Sequence, residues 1–319
     1  MGYGIGGYLS LSKQSAYGTA TTSRVFIPFV SESLIENKNY IQIENMRSLY
    51  DAPNDVEGTN NVTGDIVFEP HPIYTGHFLR GCVGTPTSTL TTSSYVHEFL
   101  PRQDDFSTDC ALNPYTIEIF KSVGSAYQIT DAQIHTLAFE ITAGAIIKCT
   151  ASVHGRAYAK VAKVTPSYIA AEPFNWVQTS VQIAGAANGE LETATITIEN
   201  PIEGVPTLNA SLNEGKLLRS DFRTITVAGD QSFQTQAQEA KFRDGSLQPF
   251  KFSITGVQLG GAGQNNQLVF DMPDVRYNTF EYPIAGAGRI TASYEGKAQY
   301  DTTSSYAARI TLQNTLATY

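Results

Sequence analysis

The seventeen residues from Phe139 to Gly155 are FEITAGAIIKCTASVHG, and the seventeen from Phe280 to Gly296 are FEYPIAGAGRITASYEG. The two stretches are identical at six positions: the opening Phe-Glu, a central Thr-Ala-Ser and the final glycine. Average residue usage gives about one identity by chance over this length. The chain therefore carries an internal repeat, and this repeat decides how the rest of the sequence is divided.

Four shorter motifs recur in the same order ahead of the long one. They are Pro28-Phe29 with Pro173-Phe174, Ile43-Glu44-Asn45 with Ile198-Glu199-Asn200, Val-x-Gly-Asp from Val62 and from Val227, and Pro114-Tyr115 with Pro249-Phe250. Motifs that recur in a fixed order indicate a tandem duplication. We expect an N-terminal arm over residues 1–22, a first domain over 23–160 and a second over 161–319. Residues 82–113 form an insertion in the first domain that we expect to be an exposed excursion.

Short runs of β-branched and aromatic residues with two-residue alternation predict strands, as in Thr193–Asn200 and Lys251–Val257. Helical signal is confined to His71–Gly81 and Gln234–Asp244, and Gly245 stands where a C-capping glycine is expected. The predicted fold is therefore all-β, with one short helix in each repeat.

Composition excludes several classes of protein. The 319 residues are 16% charged with a formal net charge of −9, which argues against binding the outside of nucleic acid, where clustered Lys and Arg are needed. No apolar run approaches the ~18–20 residues that span a bilayer, and no secretory signal is predicted. The three cysteines are widely spaced without a CxxC motif, which indicates reduced thiols in a protein made in a cytoplasm.

The sequence contains fragments of nucleotide-binding and metal-binding motifs, but each lacks a part that its chemistry requires. The glycines from Gly2 to Gly7 fit GxGxxG, but no strand precedes them, so a flexible arm is the expected structure. The five histidines lack paired metal spacing, and the acidic loop from Asp51 to Gly58 breaks the EF-hand spacing. We expect no catalytic residues, no metal and no cofactor.

The opening of the sequence carries a resemblance to a known family. Ser12–Ala20 (SKQSAYGTA), followed by Val25–Leu34 (VFIPFVSESL), resembles the start of tail tube proteins of long-tailed, siphovirus-type bacteriophages. The blocks Thr197–Pro201, Asp271–Tyr277 and Arg309–Asn314 are similar to strand ends of that family and follow in the same order. The resemblance covers nearly the whole chain.

This resemblance implies a β-sandwich with one flanking helix for each tube domain. One sheet of each domain joins its neighbours' sheets in a closed barrel, and stacked rings of six domains form a tube for DNA passage during genome ejection. A chain with two domains needs three copies per ring. The implied partners are other copies of the chain, tail terminator and tail-tip or baseplate proteins at the tube ends, and tape measure protein and double-stranded DNA transiently in the lumen. The implied location is the virion tail, assembled in the host bacterial cytoplasm without a membrane.

Two sets of residues are candidates for this function. Acids on the repeated strands are candidates for facing the lumen, where they would repel DNA: Glu44, Asp65, Glu199 and Asp230. The long loops at Asn45–Asn61 and Pro201–Thr226 supply candidates for ring-to-ring contacts: Arg47, Leu49, Tyr50, Leu208, Leu212, Leu217, Leu218 and Arg219. An outer-face position for the acids is an equally open interpretation.

Two other functions fit the composition. A two-domain β-sandwich binding module, such as an adhesin or lectin on a tail tip or cell surface, accounts for the many tyrosines and the Ser/Thr-rich insertion. A hydrolase with an unrecognised carboxylate pair is a weaker alternative. Hollow tubes seen by negative-stain microscopy favour the conduit, whereas compact monomers or closed trimers favour the binding module.

Overall fold

A computed structural model describes residues 2–103, 109–261, 263–284 and 286–319. Strands make up 51% of the chain, and two α-helices accompany them, which agrees with the predicted all-β class. None of the helices in this described part is long and apolar enough to cross a membrane.

Eleven strands and the first helix belong to the first half of the chain. The strands are β1 (Tyr8–Lys13), β2 (Val25–Ile27), β3 (Ser31–Glu32), β4 (Ile35–Ile41), β5 (Val56–Phe68), β6 (Thr87–Leu90), β7 (Tyr95–Phe99), β8 (Tyr115–Phe120), β9 (Ala126–Thr142), β10 (Lys148–Gly155) and β11 (Ala157–Val161). Helix α1 (Thr75–Cys82) follows β5, and a 3₁₀ turn over Gly4–Gly6 precedes β1.

Ten strands and the second helix belong to the second half. The strands are β12 (Thr179–Ile183), β13 (Ala186–Ala187), β14 (Leu191–Glu199), β15 (Ile202–Val205), β16 (Lys216–Arg219), β17 (Thr224–Ser232), β18 (Gln248–Gln258), β19 (Asn265–Glu281), β20 (Thr291–Gln299) and β21 (Arg309–Asn314). Helix α2 (Ala237–Asp244) follows β17, and a 3₁₀ turn over Trp176–Gln178 precedes β12.

The two halves follow the same antiparallel pairing order. In the first half the order is β4–β5–β10–β9, and β9 continues through β8 and β1 to β2. In the second half it is β14–β17–β20–β19, and β19 continues through β18 and β12 to β13. The register of β5 with β10 also agrees with that of β17 with β20, because Asp65 lies opposite Ser152 and Asp230 lies opposite Ser293.

One strand joins the halves into a continuous sheet. The C-terminal part of β9 pairs with β10 on one edge and with β14 on the other, from Thr136 opposite Glu199 to Thr142 opposite Thr193. Eight strands are therefore contiguous, in the order β4–β5–β10–β9–β14–β17–β20–β19; we call this the joined sheet. On its core side, the ring of Phe139 from the first half packs against that of Phe270 from the second, with 4.9 Å between the ring centroids, within one hydrophobic core.

The helices form near their predicted positions but start three or four residues late. Ahead of α1 the His71 N–H donates to the Thr75 hydroxyl, so residues 72–74 form a turn rather than helix. Helix α2 ends as predicted, because Gly245 takes the left-handed conformation at φ 67° that glycine adopts without strain.

Three segments differ from the sequence expectations. Tyr8–Lys13, within the predicted arm, is a largely buried strand between β2 and β8. The insertion is not simply an exposed excursion, because β7 pairs with β21 of the second half and buries His97 and Phe99. Its first strand, Thr87–Leu90, is polar and exposed, and this polar composition led to the expectation that the whole insertion is exposed, including β7. Residues 104–108 of the insertion lie outside the described part.

Helix α1 buries a histidine that makes stability depend on pH. His77 packs edge-on against the Tyr319 ring, and burial, with Arg80 and Lys13 nearby, lowers its pKa from 6.5 to about 4. Between these values the folded chain binds fewer protons than the unfolded chain, so the free energy of unfolding falls as pH falls.

We expect this free energy to drop between pH 6.5 and 4 with a contribution from His77 of up to ~1.4 kcal/mol per pH unit. Urea unfolding at pH 7, 6 and 5 measures it. His77→Gln, which cannot titrate, is the control and should give a shallower dependence. Equal slopes for both chains would contradict the assignment; burial also lowers the pKa of His71, His97 and His135, which supply the remaining slope.

Candidate functional site: the joined sheet and its open edges

The joined sheet has one face in the core and one face in solvent. On β14, Ala194, Ile196 and Ile198 are buried, and the residues between them point the other way. The solvent face is rich in short hydroxyl side chains because threonine suits a half-exposed strand. They include Thr63, Thr136, Thr150, Ser152, Thr193, Thr195, Thr197, Thr226 and Ser293.

Two of the predicted acids lie on this face in matching clusters. In the first half, the Ser152 hydroxyl donates to the Asp65 carboxylate at 2.7 Å, and the Asp65 N–H donates to the Ser33 hydroxyl at 2.9 Å. In the second half, Ser293 donates to Asp230 at 2.6 Å. The Asp230 N–H donates at 3.0 Å to Thr193, which takes the place of Ser33. In both halves, therefore, the equivalent aspartate accepts a hydrogen bond from a serine hydroxyl, and its N–H donates to a second hydroxyl.

The other two predicted acids do not match each other. Glu199 ends β14 with its side chain exposed, opposite Thr136 of β9 and Thr224 of β17. Glu44 is exposed too, but it lies beyond Ile41, where β4 ends. A register irregularity between Lys38 and Tyr40 shortens the match to β14, so the repeated Ile-Glu-Asn motif does not occupy equivalent strand positions.

Sequence reasoning missed several charges on the same face. Glu140, Glu281 and Glu295 are exposed there and add to the acids already named. Lys148, Arg276 and Lys297 carry positive charge between them. The signal was available, because Phe139-Glu140 and Phe280-Glu281 begin the long repeat and their glutamates alternate with buried phenylalanines.

The joined sheet has an unpaired edge at each end. Strand β4 pairs with β5, and no strand in the described ranges pairs with its other edge. At the far end β18 stops opposite Val275, which leaves Arg276–Glu281 of β19 paired on one edge with β20 alone. Apolar side chains accompany the first edge, since Ile35, Tyr40 and Ile41 are each more than half exposed.

The loop candidates divide into exposed and buried residues. Leu49, Tyr50 and Leu208 are almost fully exposed. Leu212 is less so, at 42%, while Leu218 and Arg219 are half-buried. Arg47 donates to the nearby Asn45 side chain.

Leu217, a predicted ring-to-ring contact, does not lie at the surface of this chain. Its side chain is fully buried, and its backbone bonds to Asp109 and Ala111 of the first half. The loop containing it packs across that half. The Glu214 carboxylate accepts a hydrogen bond from the Asn61 side chain at 2.8 Å, and its other oxygen lies 2.7 Å from Nε2 of His154.

The described residues include no group of three or more His, Cys, Asp or Glu side chains placed to hold a metal ion. What the fold presents instead is a sheet with two unpaired borders, an acid- and hydroxyl-bearing face and exposed apolar loops. Unpaired borders are templates for adding further strands, so these features suit a protein that assembles through its sheet edges.

Comparison with known families specifies the class. A sequence model of the phage tail tube protein family matches residues 4–298. The chain belongs to this family of structural proteins, which places it in the virion tail as a component that assembles with its own copies and other tail proteins into a tube. No match to a curated protein was found.

Asp230 and Glu199 both lie on the joined sheet but differ in their contacts. Their removal should therefore change the free energy of unfolding by different amounts. Asp230→Ala removes hydrogen bonds to Ser293 and Thr193 and is expected to lower the free energy of unfolding by ~1–2 kcal/mol. Glu199→Ala, at an exposed strand end, should change it by less than ~0.5 kcal/mol. Urea denaturation measures both, and equal losses would show that the Asp230 cluster is not a structural contact.

Proposed function

We propose that the chain is a tandem pair of tail tube domains, three copies of which close a ring, and that stacked rings form the conduit through which DNA leaves the virion. The matching pairing order and the paired Asp–Ser clusters support two β-sandwich domains of one kind. The observation that carries the proposal is the β9–β14 junction inside the chain, because it is a worked example of how one domain adds to the next.

The junction inside the chain supplies a template for the junction between chains. By the shared register, β4 is the counterpart of β14, and the free part of β19 is the counterpart of β9. Carrying the β9–β14 register across, with Glu281 aligned to Glu140 by the long sequence repeat, sets Ile35 opposite Glu281 and Ile41 opposite Val275, antiparallel. The two edges lie at opposite ends of the joined sheet, so each copy adds head to tail, and the series closes by rotation.

The dimensions of such a ring suit a DNA channel. Four strands from each of six domains at ~4.8 Å spacing give a circumference of about 115 Å and a backbone diameter of roughly 37 Å. Strand tilt widens it further. Each domain contributes one core-facing and one solvent-facing surface of the joined sheet, and closure turns the solvent face towards the bore.

The bore must let DNA pass without holding it. Each phosphate neutralised by Lys or Arg adds affinity through counterion release, so a wall with more acids than bases and many hydroxyls avoids adhesion. Asp65, Glu199 and Asp230 are the candidates that the joined sheet carries for this wall, together with Glu140 and Glu295. Glu44, beyond the end of β4, belongs at the rim in this arrangement.

Stacking of one ring on the next is assigned to the exposed loops. Leu49 and Tyr50 extend from the rim of the first domain, and Leu208 extends from that of the second, with Arg47, Leu212, Leu218 and Arg219 around them. At the tube ends the same loops would meet the tail terminator and the tail-tip or baseplate proteins. Tape measure protein and DNA occupy the lumen only transiently.

Disulfide crosslinking tests ring closure. Asn37→Cys and Thr279→Cys place two thiols opposite each other on the proposed interface, whereas the native Cys82, Cys110 and Cys149 are buried. Facing strand residues lie within the range that a disulfide bridges. We expect oxidation to give covalently closed trimers on non-reducing gels.

The matched control pairs Asn37→Cys with Thr226→Cys, which lies on β17 between β14 and β20 and should not crosslink. Monomers from the test pair would refute the interface. A ladder reaching six chains would refute the trimeric ring.

Charge reversal tests the wall. Tubes carrying Glu199→Lys and Glu295→Lys are expected to retain short duplex DNA at low salt and to release it as salt rises, because lysines in the bore neutralise phosphates. Tubes with glutamine at both positions are the control for lost acid without added base. Lysine tubes that retain no more DNA than the wild type would place these residues away from the channel.

A single loop substitution tests stacking. Leu208→Asp is expected to leave ring trimers intact and to abolish long tubes in negative-stain micrographs, because a charge cannot be buried between rings without a partner. Ser211→Asp, exposed in the same loop, is the matched control and should still give tubes. Long tubes from the Leu208 variant would remove this loop from the stacking contact.

A further inference from the structure

A cavity of about 700 Å³ lies beside the first 3₁₀ turn. Its walls are Gly4, Ile5 and Gly7 from that segment, the chain from Pro28 to Glu32, and Tyr168. Ile5 is 99% exposed and Val30 is 53% exposed, so apolar surface at the cavity mouth is left in water. A cavity with exposed apolar residues at its mouth indicates a site where another protein segment binds.

The second half contains the counterpart of this cavity. It measures about 430 Å³ and lies between the second 3₁₀ turn, at Trp176 and Val177, and the start of β14 at Leu191 and Glu192. The first cavity is framed in the same way, by the Gly4–Gly6 turn and the Ser31–Glu32 strand. The two cavities therefore occupy equivalent places in the two halves.

The first half forms part of the wall of this second cavity. Ile141 near the end of β9 and Ala143 in the β9–β10 turn line it. Three backbone hydrogen bonds hold this turn: the Ala143 N–H donates to Glu192 at 3.0 Å, the Trp176 N–H donates to Ala145 at 3.2 Å, and the Ile147 N–H donates to Phe174 at 3.2 Å. A turn from one domain thus packs against the 3₁₀ turn and the start of β14 in the next domain and lines the cavity between them.

The counterpart of that turn is the loop between β19 and β20. In the long sequence repeat, Ile284 stands where Ala143 stands, and its side chain is 77% exposed. The base of the loop is fixed, because Arg289 makes a bidentate ion pair with Glu192 at 2.6 and 2.8 Å.

We propose that Ile284 of one copy enters the cavity beside Gly4–Gly6 of the next copy and packs there against Ile5 and Val30. The occupant must be a second copy, because loop and cavity stand at opposite borders of eight strands, about 34 Å apart in the same chain. This inference rests on the proposed ring and adds an apolar plug to its edge-to-edge strand pairing.

Crosslinking tests the plug separately from the ring. The pair Ile5→Cys and Ile284→Cys is expected to give closed covalent trimers on oxidation, as the Asn37→Cys and Thr279→Cys pair does for the strand edges. If the strand-edge pair closes trimers and the plug pair does not, the plug is wrong and the ring stands. If neither pair crosslinks, the ring itself is wrong.

Assembly supplies the second measurement. Ile284→Asp should raise the protein concentration needed for tube formation at least tenfold, while circular dichroism and the melting temperature of the unassembled chain stay unchanged, because the side chain is exposed before assembly. Val257→Asp, an equally apolar and 57% exposed position on β18, is the control and should assemble normally. Assembly of the Ile284 variant at the wild-type concentration would overturn the plug.

Discussion

The backbone at the two borders of the joined sheet governs the rest of the structure. An exposed edge strand presents N–H and C=O groups whose hydrogen bonds only water can satisfy, which makes it prone to uncontrolled association. Here β4 at one border and Arg276–Glu281 at the other are left open, while the internal junction of β9 with β14 shows the same kind of border already satisfied. Addition of further copies to this chain therefore depends on which strand edges are paired within the chain and which are left open.

The halves also close each other's surfaces reciprocally. The β6–β7 hairpin of the first half covers the edge of β21, and the Glu214 loop of the second half lies against Asn61 and His154 of the first. These contacts leave the borders of the joined sheet untouched. Because each half supplies the cover for the other, the pair is expected to fold as one unit rather than as two independent beads.

Much of the fold could be predicted from the sequence, because alternation of apolar and polar residues exposes the strands, and the repeat exposes their equivalence. The matching strand positions of Asp65 and Asp230 could be predicted for this reason. The β6–β7 hairpin was missed because its second strand, β7, pairs with β21 more than 200 positions away, a contact that local pattern does not encode. Leu217 was grouped with the loop contacts because hydrophobicity alone does not tell a buried leucine from an exposed one. Glu44 was matched with Glu199 because the strand irregularity after Lys38 is not visible in the sequence.

Residues 162–174 link the two halves covalently, and this has a consequence for symmetry. A ring of three such chains contains two kinds of domain boundary in alternation, one formed during folding and one formed on encounter, so only three collisions complete six boundaries. The loops above alternate domains are free to diverge in sequence. In the proposed ring, a protein that docks on the rim would meet a threefold pattern of loops on six similar domains, which matches partners of threefold and of sixfold symmetry alike.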